Sequence, residues 1–131
     1  MPVACFGSRS HLMSDRPIYG YKGKQVRDNI HVLEGASFIA AFAATTRRVE
    51  GYNLGGGCTT SCSILEAFDM VEQLTGKKMR NEYLEKNRAG DHICYISDLT
   101  KIPTHYPEWK ISVSLRQILD DIVEGWRSRA Q

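Results

Sequence analysis

Residues 63–76 read SILEAFDMVEQLTG and carry the clearest local pattern in the sequence. Ser63 and Glu66 are three positions apart, the spacing of a capping box, in which each side chain satisfies a free backbone N–H of the other residue at a helix start. Apolar residues then recur at helical spacing, and Gly76 follows as a C-terminal cap. The stretch therefore predicts an amphipathic helix between Ser63 and Gly76.

Two further segments on either side also show helical periodicity. Residues 34–46 carry one apolar stripe with an alanine-rich surround, and residues 115–126 have apolar side chains at i, i+3, i+4, i+7, i+8 and i+11. Ser114 precedes the second segment as a candidate N-cap. We therefore predict three helices of at least three turns.

Short extended runs alternate with these helices. Residues 17–21 and 25–32 flank a Lys-Gly-Lys turn and predict a hairpin, and further short strands are expected at 52–54, 78–84 and 93–96. Asp98 can cap one helical turn, which we expect to stop before Pro103. The pattern predicts a small mixed α/β domain, with elements arranged as in an α+β fold, over residues 17–131. Residues 1–16 are expected to form a poorly ordered leader.

The composition limits the classes of function. The chain has 131 residues, 17 Lys+Arg against 15 Asp+Glu, and a net charge of +2, so a nucleic-acid-binding role is not favoured. The longest apolar stretch, Phe38 to Ala44, is far shorter than the roughly 20 residues that a membrane span needs. Four cysteines without a secretory signal predict free thiols and a cytoplasmic protein.

Two motifs could indicate a phosphate or metal site. Gly55, Gly56 and Gly57 precede the helix at Ser63, but their spacing matches neither a dinucleotide-binding turn nor a Walker loop, so a flexible turn is favoured. The side chains of Cys58, Cys62, His92 and Cys94 could in principle ligate zinc. Their spacing matches no common structural site, and we predict no metal.

Arg27, Arg88 and Asp91 form a more informative set. Guanidinium groups suit bidentate contacts to phosphate oxygens, and a carboxylate can accept hydrogen bonds from sugar hydroxyls. Spacing alone favours the simpler interpretation that these are solvated surface residues.

Five motifs in order carry a family resemblance. They are GKQVRDNIH at 23–31, YNLGGG at 52–57, SCSILEAF at 61–68, RAGDH at 88–92 and SDLTK at 97–101. Their order resembles the nucleotide-sugar epimerases of the extended short-chain dehydrogenase/reductases, within the NAD-dependent epimerase/dehydratase family and most of all its CDP-paratose and CDP-tyvelose 2-epimerase branch. The similarity runs from about Arg16 to Trp126 and covers the C-terminal, substrate-binding part of such an enzyme, without its Rossmann domain.

The resemblance implies a binding role without catalysis. Arg27 and Arg88 would contact the diphosphate of a nucleotide sugar, and Asp91 would accept a hydrogen bond from a nucleotide ribose hydroxyl. The family's glycine-rich dinucleotide turn and its catalytic Tyr-x-x-x-Lys lie in the part that this sequence lacks. We therefore expect no catalytic residue and no cofactor bound by this chain, although the full-length family uses NAD.

The resemblance also implies partners. In the family this portion packs against the Rossmann half, so its apolar contact surface predicts a homodimer or higher oligomer. Two alternatives remain: an oligomerising interaction module with no ligand, and a split epimerase completed in trans by a separate Rossmann half. The sequence departs from the family at the first helix, where Glu34 and Gly35 stand in place of the usual aspartate.

Overall fold

The structure is a computed structural model that describes residues 16–45 and 47–129. The predicted leader, residues 1–16, lies outside the described residues except for Arg16. The described strands are β1 (Arg16–Tyr19), β2 (Val26–Asp28), β3 (Ser61–Ser63), β4 (Asn81–Leu84) and β5 (Cys94–Tyr95). The helices are α1 (Val32–Ala44), α2 (Ile64–Thr75), α3 (Lys101–His105) and α4 (Leu115–Arg129).

The strands form two small sheets with long-range parallel pairing. β1 pairs with β4, from Arg16 opposite Asn81 to Tyr19 opposite Leu84. A second sheet has the order β3-β2-β5, with β2 and β5 also parallel. The predicted hairpin is therefore wrong, since β1 and β2 belong to different sheets. Residues 20–23 all adopt positive φ, between 47° and 72°, and this left-handed turn separates the two strands.

The longer helices agree with the sequence pattern. At α2, both hydrogen bonds of the Ser63–Glu66 capping box are present, and Gly76 closes the helix at φ 67°. At α4, Ser114 Oγ accepts from the backbone N–H of Gln117 at 3.3 Å. Helix α1 starts two residues earlier than predicted, because His31 Nδ1 caps it by accepting from the Leu33 N–H.

Two local predictions are wrong. Residues 52–54 form no strand. Helix α3 includes Pro103 instead of stopping before it, because Pro103 lies in the first turn, where a backbone N–H has no partner inside the helix. Among the described residues, no helix combines the length and apolarity that crossing a bilayer requires.

The chain divides into two compact units. Unit 1 comprises residues 16–27, 62–95 and 119–129 of the described chain, and its buried apolar residues are Ile18, Val71, Leu119 and Val123. Unit 2 comprises residues 28–45, 47–61 and 96–118. Its core is built on Phe38, Ile102 and Tyr106, with edge-to-face contacts from Phe38 to Tyr52, Tyr106 and Trp109.

Candidate functional site

An ion pair joins two of the predicted site residues in unit 1. Arg27, on β2, donates from Nη2 to Asp91 Oδ1 at 2.8 Å and to the His92 carbonyl at 2.7 Å. Its Nη1 donates to the Val26 carbonyl at 2.7 Å. The Arg27 and Asp91 side chains are 23% and 24% exposed, so the pair is partly shielded from water but still open on one side.

Gln25 supports the same carboxylate from the other oxygen. Its side chain is 4% exposed, and Nε2 donates both to the Tyr19 carbonyl and to Asp91 Oδ2, the latter at 3.4 Å. Gln25 Oε1 is buried and has no hydrogen-bond partner among the described residues. Asp91 is therefore held by two residues of one extended segment, Gln25 and Arg27.

Arg88 is placed differently from Arg27. Its guanidinium carbon lies 4.4 Å from the centre of the Tyr19 ring, within the range of a cation–π contact. The residue is exposed, and its guanidinium makes no hydrogen bond or ion pair with the described part of the chain. Its N–H groups are consequently available to a ligand.

Glycines allow the segments that carry this site to approach one another. Gly90 adopts φ 74° in the turn where the Asp91 N–H donates to the Arg88 carbonyl at 3.2 Å. A Cβ at Gly20 would lie 1.7 Å from Asn87 Oδ1, so a larger residue there would displace the Asn87 side chain and would also be strained at φ 60°. Gly20, which follows β1, therefore lies close to Asn87, the residue before the turn at 88–91.

The glycine run at 55–57 surrounds an acidic side chain in unit 2. Asp28 Oδ2 accepts from the backbone N–H groups of Gly57 at 3.0 Å and Ser97 at 3.1 Å. A Cβ at Gly55 would lie 2.3 Å from the same oxygen. Because Asp28 already takes the Gly57 N–H, this turn serves as a structural junction and does not have the geometry of a pyrophosphate cradle.

Sequence reasoning did not identify Glu34, a buried acidic residue of unit 2 that accepts three hydrogen bonds on Oε1 while its Oε2 has no partner among the described residues. Its side chain is 6% exposed, and Oε1 accepts from the backbone N–H groups of Ser112 and Val113 and from Ser112 Oγ. Burial alone would raise the pKa of Glu34, but the hydrogen bonds from Ser112 and Val113 outweigh it and hold the pKa below its usual value. The one feature of the sequence that could have indicated a structural role for Glu34 is its position in the first turn of α1.

No metal centre is formed within residues 16–45 and 47–129, where no group of three or more His, Cys, Asp or Glu side chains could hold an ion. Cys58, Cys62 and Cys94 form no disulfide bond within these residues. Of the predicted site residues, the structure brings Arg27 and Asp91 into contact and places Arg88 against Tyr19. Tyr19 and Gln25 are contributors that the sequence analysis missed, because their roles depend on long-range contacts.

Comparisons with known proteins show which proteins this chain resembles. No family model matches the chain. CDP-paratose 2-epimerase from Salmonella typhi is 32% identical over 96 residues, which cover 72% of this chain and 28% of that enzyme. This chain is thus similar in sequence to less than a third of the relative.

Solved structures extend the similarity to the fold. The dTDP-glucose 4,6-dehydratase of Bacillus anthracis, in complex with NAD, matches with a TM-score of 0.79 and 24% identity, covering 97% of this chain and 40% of that one. The UDP-glucose 4-epimerase of Thermotoga maritima, with UDP-glucose, matches with a TM-score of 0.73 and 27% identity, covering 90% and 36%. These matches confirm the predicted small mixed α/β fold, and the chain spans less than half of each relative.

Proposed function

We propose that this chain, which is related in sequence and fold to the NAD-dependent nucleotide-sugar epimerases and dehydratases, binds a nucleotide diphosphate sugar around Arg88 and Asp91. The observation that carries the proposal is the arrangement of unit 1. An exposed guanidinium without a hydrogen-bond partner in the described chain lies three residues before a carboxylate that Arg27 and Gln25 hold in place.

The chemistry of these groups suits a nucleotide diphosphate. A guanidinium presents N–H donors in a planar fork that matches phosphate oxygens. A carboxylate has about four lone-pair positions, so Asp91 can accept from a ribose hydroxyl while keeping its bonds to Arg27 and Gln25. The Thermotoga maritima relative was solved with UDP-glucose, which belongs to this class of ligand.

We propose no catalysis by this chain alone. Hydride transfer requires a bound nicotinamide and a base near the sugar hydroxyl. We expect this chain to bind no NAD by itself; in support, the Gly57 N–H of the glycine-rich turn is bound by Asp28 and is not offered to a pyrophosphate. Any epimerase or dehydratase activity would depend on residues that this sequence does not supply.

Calorimetric titration with CDP-, UDP- and GDP-sugars tests the proposal. A few charge-assisted hydrogen bonds, at roughly 1.5–3 kcal/mol each before the entropic cost of association, predict weak but saturable binding in about the millimolar range. The Arg88→Gln variant should lose this binding, and Arg80→Gln, which removes the same charge from another exposed position, should keep it. Absence of saturable heat with every nucleotide sugar would contradict the proposal.

A second candidate function, association through α1, is supported by a different observation. Val32, Leu33 and Ile39 on this helix are 76%, 68% and 62% exposed, whereas Glu34, the one charged residue of α1, is buried. A helix that is apolar on all sides is normally covered. We propose that α1 forms the contact of a homodimer or docks a separate Rossmann half.

Sedimentation velocity tests this association. The wild-type chain should sediment as a dimer, and Leu33→Lys combined with Ile39→Lys should convert it to a monomer. Val49→Lys is the matched control, because Val49 is fully exposed and lies outside α1. A wild-type monomer that also fails to bind the separately expressed NAD-binding part of a relative would contradict the association.

A further inference from the structure

The start of helix α1 carries a hydrogen bond that requires a neutral imidazole. His31 is the N-cap of α1, and its Nδ1 accepts from the Leu33 backbone N–H at 3.3 Å. A protonated imidazole donates from both ring nitrogens and accepts at neither. We propose that protonation of His31 releases the Leu33 N–H and directs the imidazolium to the Glu34 carboxylate, so that the first turn of α1 is a pH-sensitive switch.

Glu34 offers the alternative contact. It is the third residue of α1, and an N-cap residue and the residue three positions later are the pair that contact each other in a capping box. Its side chain is 6% exposed, with Oε1 bonded to Ser112 and Val113 and Oε2 buried without a hydrogen-bond partner among the described residues. A buried carboxylate oxygen that lacks a donor is costly, so a new N–H donor would stabilise it. The imidazolium of His31 supplies such a donor.

The charges at this helix start act differently on the two states of the ring. The positive end of the helix dipole disfavours a cation at the N-cap, whereas the Glu34 carboxylate attracts one. The two side chains already interact: burial raises the pKa of Glu34, the hydrogen bonds from Ser112 and Val113 lower it, and the charge of His31 lowers it further. The contact with Glu34 therefore gives the protonated ring a defined second position.

Other charged groups near the helix start are engaged elsewhere or exposed. The segment 109–113, which packs on Glu34, has one charged residue, Lys110, and its side chain is exposed. At the end of β2, the Asp28 carboxylate accepts from two backbone N–H groups. Glu34 is consequently the acidic group placed to bind the imidazolium.

The switch changes the apolar surface at the start of α1. Val32 and Leu33 are the first two residues of the helix, and they are 76% and 68% exposed. Imidazoles gain their proton between about pH 8 and pH 5, and a helix turn that loses its N-cap is destabilised. The cap is therefore complete at the upper end of this range and is lost towards the lower end. Association through α1 should weaken in parallel, a consequence that rests on the second function proposed above, whereas the switch itself does not.

The test is a pH titration of the isotope-labelled full chain, followed by NMR from pH 8 to pH 5. At pH 8 the neutral His31 ring should carry its proton on Nε2, because Nδ1 is the acceptor. As the ring gains its second proton, the Leu33 amide should lose about fivefold in protection from hydrogen exchange, the loss of one N-cap. The side-chain carboxyl resonance of Glu34 should shift with the same midpoint.

Two variants at His31 separate its charge from its cap. His31→Asn keeps a capping oxygen that does not titrate, so the Leu33 amide should be equally protected at both ends of the range. His31→Ala has no cap, so its Leu33 amide should resemble that of the acidic wild type at every pH. His105→Asn is the matched control, because it removes another imidazole of unit 2, bonded to Tyr52 at 2.6 Å, and should keep the wild-type profile.

Glu34→Gln tests the second contact. The variant removes the negative charge, so His31 should titrate at a lower pH than in the wild type, and an unchanged midpoint would refute the contact with Glu34. The switch is overturned if the Leu33 amide stays protected while His31 titrates, or if Nδ1 carries the proton at pH 8.

Sedimentation velocity at pH 8 and pH 5 distinguishes the switch from the proposed association. A dimer at pH 8 that dissociates at pH 5 in the wild type, but not in His31→Asn, would support both. A wild-type monomer at both pH values, with the NMR changes present, would refute association of the chain with itself and leave the switch standing.

Discussion

The acidic side chains of the two units are satisfied in different ways. In unit 1, Asp91 is about a quarter exposed and is held by a cation, Arg27, and an amide, Gln25. In unit 2, Glu34 is 6% exposed and is held by the backbone N–H groups of Ser112 and Val113. Glu34 Oε1 is bonded by backbone donors of the chain itself, whereas Glu34 Oε2 is buried and has no hydrogen-bond partner among the described residues.

The difference distinguishes a structural acid from one that can take part in binding. The Glu34 hydrogen bonds stabilise the fold of unit 2, because breaking them would leave a buried carboxylate without its donors. The Arg27–Asp91 pair is partly solvated and contributes less to stability, but it presents a carboxylate at a surface where Arg88 is also available. The comparison predicts that mutations in unit 2 affect stability most and mutations in unit 1 affect binding most.

The largest stability effect is expected for Glu34→Ala. Loss of the carboxylate leaves the N–H groups of Ser112 and Val113 without their acceptor, which should cost about 2–3 kcal/mol. Urea denaturation measures the change, with Glu108→Ala as the exposed control. Equal stability of the two variants would mean that the buried network is not structural.

The effect of Glu34 should also depend on pH. Because its folded pKa is lowered, its stabilisation is present above the ordinary value of about 4.3 and is lost as the pH falls through the lower folded value. Glu34→Gln should therefore be less stable than wild type by about 1.5 kcal/mol at neutral pH, as a charged hydrogen bond is replaced by a neutral one. The difference should vanish in acid, and a difference that is constant from neutral pH to pH 3 would disprove the assignment.

A smaller effect is expected for Ser63→Ala, which changes unit 1 away from the site. The variant removes the capping box of α2 and should cost about 1 kcal/mol. Nucleotide-sugar affinity, measured at a temperature where both proteins are folded, should remain the same as in the wild type. If Ser63→Ala also lowered the nucleotide-sugar affinity, binding would depend on the stability of unit 1 as a whole. The distinction between stabilising and binding residues would then fail.

The smallest stability effect is expected for the Arg27–Asp91 pair. A double-mutant cycle with Arg27→Gln and Asp91→Asn should give a coupling of about 0.5–1 kcal/mol in the absence of ligand, because the pair is partly solvated. The coupling should decrease with added salt. A coupling energy larger than the about 2–3 kcal/mol expected for Glu34→Ala would mean that the Arg27–Asp91 pair stabilises the fold more than Glu34 does.

The sequence predicted features that depend on neighbouring residues. The capping box at Ser63, the cap at Ser114 and the periodic helices were predicted correctly because their hydrogen bonds lie within a few positions. The hairpin was wrong because β1 and β2 each pair in parallel with a distant strand, and such pairing leaves no local signal. The prediction that the helix stops before Pro103 was wrong, because Pro103 lies in the first turn of α3, where the missing N–H would have no partner inside the helix.

The candidate site was only partly predictable for the same reason. The motifs identified Arg27, Arg88 and Asp91 through a family resemblance, and the comparisons with known enzymes confirm that resemblance. Gln25 and Tyr19 were not identified, since Gln25 contacts Asp91 across 66 residues of sequence and Tyr19 meets Arg88 through its ring. The different engagement of the two guanidiniums is visible only from these contacts.

The central claim is that a nucleotide diphosphate binds beside Arg88 and Asp91. The most direct measurement is a titration of the isotope-labelled wild-type chain with CDP and UDP, followed through backbone amide and arginine side-chain resonances. We expect saturable shifts at Tyr19, Arg88 and Asp91, with α1 unchanged. Saturable shifts confined to the glycine turn at 55–57, or no shifts at all, would contradict the account.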